Sequence, residues 1–179
     1  MPARLPKWCV LCCLALLLGC RGDVAVSPPE QRTPYEPPAS GPFVRMNQPD
    51  AEKYFVSGIY TLEANAWRWA GRRAELRLHL NRTDNLKYVM KFAVPQAVIA
   101  RNGPVWLEIF LNSQKWERLR YEKDGVYEFE KPAPAQMLKP QADNIVAIEI
   151  DKPLPAGSRG PELGFILVHA GFQPLAPAP

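Results

Sequence analysis

Ala74-Glu75-Leu76-Arg77-Leu78-His79-Leu80 is the stretch that decides the fold. Ala74, Leu76, Leu78 and Leu80 alternate with Glu75, Arg77 and His79. Successive side chains of an extended strand point to opposite faces, so a period of two predicts a half-buried strand with one aliphatic and one polar face. The pattern recurs on both sides. Tyr88, Met90, Phe92 and Val94 alternate with Val89, Lys91 and Ala93; Val105, Leu107, Ile109 and Leu111 alternate with Trp106, Glu108, Phe110 and Asn112. Further strands are expected over 55–62, 115–121, 126–129, 145–150 and 163–172. They are separated by turn-rich pieces such as Asn102-Gly103-Pro104, Lys123-Asp124-Gly125 and Pro155-Ala156-Gly157-Ser158. Pro49-Asp50-Ala51-Glu52 suits one helical turn, and no long amphipathic helix or internal repeat is visible. About eight short, evenly spaced strands predict an all-β fold, an antiparallel β-sandwich or jelly roll.

Working outward, composition changes on both sides of this block. The chain has 179 residues, enough for one ordinary domain with tails. Its 47% hydrophobic and 22% charged residues are globular values that argue against wholesale disorder and against a multi-span membrane protein. The 20 prolines cluster outside the middle. Residues 21–44 carry Pro28, Pro29, Pro34, Pro37, Pro38 and Pro42 and read as an extended spacer, reaching roughly 75 Å at about 3.1 Å per residue. Pro174-Leu175-Ala176-Pro177-Ala178-Pro179 reads as a disordered tail.

At the start, Arg4 and Lys7 precede an apolar run from Trp8 to Gly19. This is the layout of a secretory signal, and the run falls short of the roughly twenty apolar residues of a membrane span. Leu17-Leu18-Gly19-Cys20 resembles a lipobox, the bacterial lipoprotein signal. The resemblance implies cleavage before Cys20, acylation of that cysteine, and a protein held on a lipid bilayer by more than the two lipid signals stable anchoring needs. An ordinary signal peptide with a cysteine-rich core is the alternative, since Cys9, Cys12 and Cys13 lie in the same run. Arg21 after the cysteine favours the outer membrane over the inner.

The expected organisation is therefore a signal peptide over 1–19, the lipidated Cys20 and tether over 20–44, the sandwich over 45–173 and a tail over 174–179. All four cysteines fall in residues 9–20. The remaining chain has no thiol, which excludes a disulfide scaffold, a catalytic cysteine and a cysteine-ligated metal. Loss of Arg4 and Lys7 leaves 22 − 2 = 20 basic against 18 acidic side chains, too even a balance to indicate a nucleic-acid partner.

Gly58-Ile59-Tyr60-Thr61-Leu62-Glu63, the segment from Trp67 to Leu78, and Leu163-Gly164-Phe165-Ile166-Leu167 resemble the galactose-binding-like β-sandwich modules of bacterial envelope proteins. The resemblance covers roughly residues 50–173. It implies a jelly roll with carbohydrate or another envelope ligand as partner, without identifying the sugar.

The inventory for catalysis is poor. His79 falls on an outward strand phase, and His169 lies beside what reads as a final turn at Ala170-Gly171; both suit structural roles. Glu63, Glu75, Glu108 and Glu149 are candidates for a carboxylate pair only if the fold brings two together in a cleft. No enzyme and no cofactor are expected. A structural calcium could draw on Asp124, Asp143, Asn144 and Asp151, which lack the spacing of a calcium loop. Asn81-Arg82-Thr83 is a glycosylation acceptor by formal pattern only.

Aromatic residues carry more information. Trp67 and Trp69, two apart in a connection flanked by Arg68, Arg72 and Arg73, suit stacking on a sugar face with Arg68 as a donor; equally they suit a plug at the sandwich end with arginine stems packed over them. Trp106 and Phe110, beside Trp116, Arg118 and Arg120 of the next strand, suit either an exposed aromatic and basic platform or burial on both faces. Arg159 before the last strand reads as a ligand-gripping residue or a turn residue. The leading expectation is a non-catalytic, lipid-anchored module that binds a glycan or cell-envelope polymer through these residues. The rival is an accessory subunit docking another envelope protein through Trp106, Phe110 and Trp116.

Overall fold

The computed structural model describes residues 40–157 and 160–175. Cys20, most of the tether, Arg159 and the end of the tail lie outside the described residues. Nine strands form one antiparallel curled sheet: β1 (Phe43–Arg45), β2 (Phe55–Glu63), β3 (Trp67–Leu80), β4 (Leu86–Val94), β5 (Val105–Leu111), β6 (Gln114–Tyr121), β7 (Gly125–Pro132), β8 (Ala142–Ile150) and β9 (Phe165–Pro174). A short helix, α1 (Gln96–Asn102), joins β4 to β5, and a 3-10 turn over Ala51–Tyr54 stands where the helical turn was expected. No described helix is long and apolar enough to cross a membrane.

The strand order is β6-β5-β8-β3-β9-β4-β7, with β1 added to β9 and β2 to β3. The long strand β3 makes this a sandwich. Its residues 73–80 pair with β8, whereas Arg68, Trp69 and Ala70 pair with Leu167, Ile166 and Phe165 of β9. One half of β3 thus belongs to the β6-β5-β8 layer and the other to the β9-β4-β7 layer. Aliphatic phases from both layers meet between them: Leu76, Leu78 and Leu80 of β3, Leu107, Ile109 and Leu111 of β5, and Phe92, Phe165, Leu167 and Phe172 of the other layer are buried. Each such large side chain contributes about 1.5–3 kcal/mol on leaving water.

The change of partner requires close backbone approach. Gly164 N donates to Ala70 O at 2.7 Å, and a Cβ on Gly164 would lie 2.4 Å from Gly71 O and 2.6 Å from Ile150 Cγ2. Gly58, at φ +68°, sits in a bulge of β2, where a Cβ would fall 1.8 Å from Arg73 O.

Three sequence expectations shift. β3 begins at Trp67 rather than at Ala74, so Trp67 and Trp69 lie in a strand, not a connection. Ala64 and Asn65, at φ 49° and 51°, make the tight hairpin turn from β2, with Ala66 N donating to Glu63 O at 3.0 Å. Phe43 and Val44, assigned to the tether by proline count, form β1, and Val44 is fully buried. Ala170 and Gly171 continue β9 instead of turning.

Replacing Gly164 by Ala is expected to cost about 2–3 kcal/mol, because its neighbours are backbone and a packed Ile150 side chain. Gly157, with open space around it, should accept Ala within about 0.5 kcal/mol. Urea unfolding of both variants checks this, and equal losses would contradict the crossing geometry.

Candidate functional site

The two outer faces of the sandwich carry different chemistry. On the β6-β5-β8-β3 face, Trp106, Glu108 and Phe110 point outward while Val105, Leu107, Ile109 and Leu111 are buried, the phase read from sequence. Trp106 and Phe110 are therefore on the surface, but their rings are covered by cations. The Arg118 guanidinium lies 4.2 Å and that of Arg120 6.0 Å from the Trp106 ring centroid; Arg73 lies 5.0 Å and Lys115 5.8 Å from that of Phe110. Glu108 pairs with Lys115 at 2.7 Å and Arg118 at 3.2 Å, and Arg73 joins Glu149 at 3.0 Å to Glu75 at 2.9 Å. Glu108 and Glu149 are cross-strand neighbours, so two of the candidate carboxylates do meet, on an open sheet face with basic partners. Glu63 ends β2 opposite Trp67.

Trp116 does not join this platform. A register shift between Ile109 and Phe110 sets Phe110 opposite Lys115, and Trp116 turns inward to pack edge-on against Tyr88 at 6.1 Å and Phe129 at 5.8 Å. Arg68 is also placed differently from a ligand donor. It faces inward and is buried, with Nε donating to Met46 O at 3.0 Å, Nη1 to Tyr60 O at 3.1 Å and Nη2 to Glu52, over the Phe55 ring at 5.0 Å. Its donors tie the segment before β2 to β3. The Glu52 carboxyl is held below the usual range, chiefly by its own backbone hydrogen bond and further by Arg68. Arg72 pairs with Glu162 at 3.2 Å on the loop before β9.

The oxygen ligands considered for calcium are dispersed. Asp143 takes His79 at 2.9 Å and Arg77 at 3.6 Å, Asn144 is buried and bonded to Lys139 and Asn112, and Asp151 accepts from Trp106 N. Among the described residues no group of three metal-ligating side chains gathers.

The β7-β4-β9-β3 face is different. Trp67 and Trp69 alternate with inward Arg68 and Ala70 and both project outward, half-buried, their centroids 6.0 Å apart and planes 81° apart. Among the described residues no cation stands over either ring. Trp69 is in register with Ile166, Ile166 with Ala93, and Ala93 with Val126, making an apolar row across four strands that ends on a residue 65% exposed. The next row is Glu128, Lys91 and His169, and the one after it Glu130, Val89 and Gly171. A groove of about 190 Å³ opens over Val89 between Glu128, Glu130, His169 and Gln173, while at Gly171 a Cβ would lie 2.4 Å from Phe43 Cα of β1, so glycine there admits the β1 backbone. Lys91 and Lys87 pair with Glu128 and Glu130 at 2.9 and 2.6 Å. The Lys91 ammonium keeps the Glu128 carboxyl below its usual range, so it stays an ionised acceptor. His169 packs on Phe43 with centroids 5.3 Å apart.

Sequence reasoning missed this groove, although part of its signal was present: Val126, Glu128 and Glu130 share one strand phase.

No family model and no curated protein matches the chain. Among solved structures it is similar to a family 35 carbohydrate-binding module from an environmental isolate, at 14% identity and TM-score 0.35 over 78% of this chain and 90% of that one. It is similar to a family 35 module of Cellvibrio japonicus at 8% identity and TM-score 0.36 over 76% and 98%. An acetyl xylan esterase of the rumen bacterium Butyrivibrio proteoclasticus aligns at 9% identity and TM-score 0.43 over 78% of this chain and 35% of the esterase. The chain spans about a third of that enzyme's length.

Burial depresses the His169 pKa below 6.5; Lys91 of β4 and Arg45 of β1 act in the same direction, and Glu128 of β7 opposes them. Below that value the unfolded ring binds more proton than the folded one, so stability is present above about pH 6.5 and is lost as pH falls through the folded pKa. Urea midpoints should therefore drop between about pH 7.5 and pH 5.5, and drop less in His169→Gln. Equal pH dependence in both proteins would contradict the placement of His169 among these groups.

Proposed function

We propose that this protein is a non-catalytic, lipid-anchored envelope module whose β7-β4-β9-β3 face binds a glycan or cell-envelope polymer. The observation that carries the reading is the pair Trp67 and Trp69, projecting from one face with no cation of the described residues over their rings and with a polar groove on the same face. Sugar recognition asks for that combination: apolar rings to stack on, and acceptors and amides to take hydroxyls. Trp106 and Phe110 are the weaker candidates, because a sugar would first have to displace Arg118, Arg73 and Lys115 from their rings. Along β4 the Trp69 row and the groove floor at Val89 are four residues apart, about 13 Å, and two strands, about 10 Å, separate them across the sheet. One ligand touching both is an oligosaccharide several rings long.

Anchorage rests on the sequence alone: export by residues 1–19, acylation at Cys20 and a proline-rich tether, with the outer membrane as the favoured site. One observation favours the rival reading, a docking subunit for another envelope protein. The row Val126, Ala93, Ile166 and Trp69 is continuous and apolar, as protein interfaces are at their centres.

Glycan arrays and polysaccharide retention with the full chain separate the two. Trp67→Ala and Trp69→Ala are expected to weaken retention about 5- to 10-fold each, taking roughly 1–1.4 kcal/mol per stacked ring, while Trp106→Ala is unchanged. A blank across the panel with folded protein would overturn the glycan reading and leave the docking one. For the anchor, Cys20→Ser is expected to abolish acyl-chain incorporation and move the protein from the membrane to the soluble fraction; an unchanged distribution would contradict it.

A further inference from the structure

A second concavity lies at the edge strand β2, which pairs with β3 alone. Ile59 is in register with Ala70 and Leu62 with Arg68, so Tyr60 and Thr61 stand together against the single residue Trp69. Two residues against one make a bulge, which re-aims side chains at a sheet edge. Beside it opens a shallow hollow of about 560 Å³, lined by Glu52, Ile59, Tyr60, Thr61, Arg68 and Pro161. Small-molecule sites span roughly 300–1,000 Å³ and are mostly apolar with a few placed polar groups. Ile59 packs on the core, and the Tyr60 hydroxyl reaches over Gly71, where a Cβ would come within 2.5 Å of it. Two of the apolar walls are therefore fixed from behind.

Among the described residues lining the hollow, Glu52 and Arg68 are the charged ones, and they pair with each other, so no surplus charge is left to draw in an ion. Arg68 is buried and occupied, donating to Met46 O, Tyr60 O and Glu52, whereas the Glu52 side chain is 66% exposed. A carboxylate offers about four acceptor positions. Arg68 and the Glu52 backbone N–H take two of them, which leaves acceptor capacity on the solvent side. Thr61 adds an exposed hydroxyl. We infer that this hollow is a second binding site, separate from the tryptophan pair, and that it takes a single neutral polyhydroxylated ring such as a pyranose. Ring hydroxyls donate to Glu52 in charge-assisted hydrogen bonds and meet the Thr61 hydroxyl, while the C–H face of the ring lies on Ile59, Tyr60 and Pro161.

The test titrates the methyl-labelled full chain with the methyl glycosides of glucose, galactose, mannose and xylose, and with glucuronate and glucosamine as charged counterparts. At least one neutral glycoside is expected to shift the Ile59 and Thr61 methyl signals saturably with millimolar affinity, and its Kd should change less than about twofold between low and high salt, since no net charge attracts it. Glu52→Gln is expected to weaken that binding at least about fivefold, and Thr61→Trp, at an exposed position on the rim, to abolish it. Should Glu52→Gln unfold through loss of the Arg68 partner, Thr61→Trp alone decides. No saturable shift at Ile59 and Thr61 in folded protein, tighter binding of a charged sugar than of every neutral one, or undiminished binding in either folded variant overturns the assignment and leaves the tryptophan reading as it stands. A blank on polysaccharides with these shifts present overturns the tryptophan reading and supports the hollow.

Discussion

The change of partner along β3 is the constraint on which the rest of the molecule depends. A single strand that pairs with β9 through Arg68–Ala70 and with β8 from Arg73 onward must bend between the layers it joins. The bend is possible because Gly164 lets its backbone approach that of Gly71, where a Cβ would lie 2.4 Å from Gly71 O, and because Gly71 leaves room for the Tyr60 hydroxyl. It is held from within by Arg68, whose buried guanidinium bonds to Met46 O and Tyr60 O and pairs with Glu52. Because Arg68 and Ala70 take the inward phase, Trp67 and Trp69 have no choice but the outward one. The same local geometry therefore closes the sandwich and presents the aromatic pair.

The two faces then diverge through the company their aromatics keep. Cross-strand neighbours on the β5-β6 side are Arg120 for Trp106 and Lys115 for Phe110, so the rings there acquire cationic covers and the carboxylates acquire basic partners. Such exposed pairs are worth little individually, about 0–1 kcal/mol, but together they leave few unfilled surface valences. On the β9-β4-β7 side the neighbours of Trp69 are Ile166, Ala93 and Val126, and charge begins only in the next row. Under the proposed reading, an aromatic pair with no cation of the described residues over it, on the same face as a polar groove, would meet a ligand that combines apolar and hydroxylated faces.

Much of this was legible in the sequence. β5 is legible as the alternation from Val105 to Asn112, one residue past the end of the strand at Leu111, because its inward phase is uniformly aliphatic. The first half of β3 was not, since its inward residues are an arginine and an alanine and no alternation of apolar with polar marks them. The phase of Trp116 was lost to a bulge, which moves pairing by one residue and leaves no composition signal. β1 escaped notice because three residues among prolines are held by pairing with β9 and by the burial of Val44, neither of which shows in so short a segment. Of the candidate site, Trp67 and Trp69 were identified from sequence, Arg68 was placed with them though it belongs to the core, and the groove required knowledge that β7, β4 and β9 lie side by side.

The most direct measurement is a titration of the isotopically labelled full chain with neutral oligosaccharides, following the indole N–H signals. The account requires the signals of Trp67 and Trp69 to move saturably while those of Trp106, under its arginines, and Trp116, in the core, stay in place. Movement confined to Trp106, or no movement of any indole at ligand concentrations that saturate retention, would contradict it.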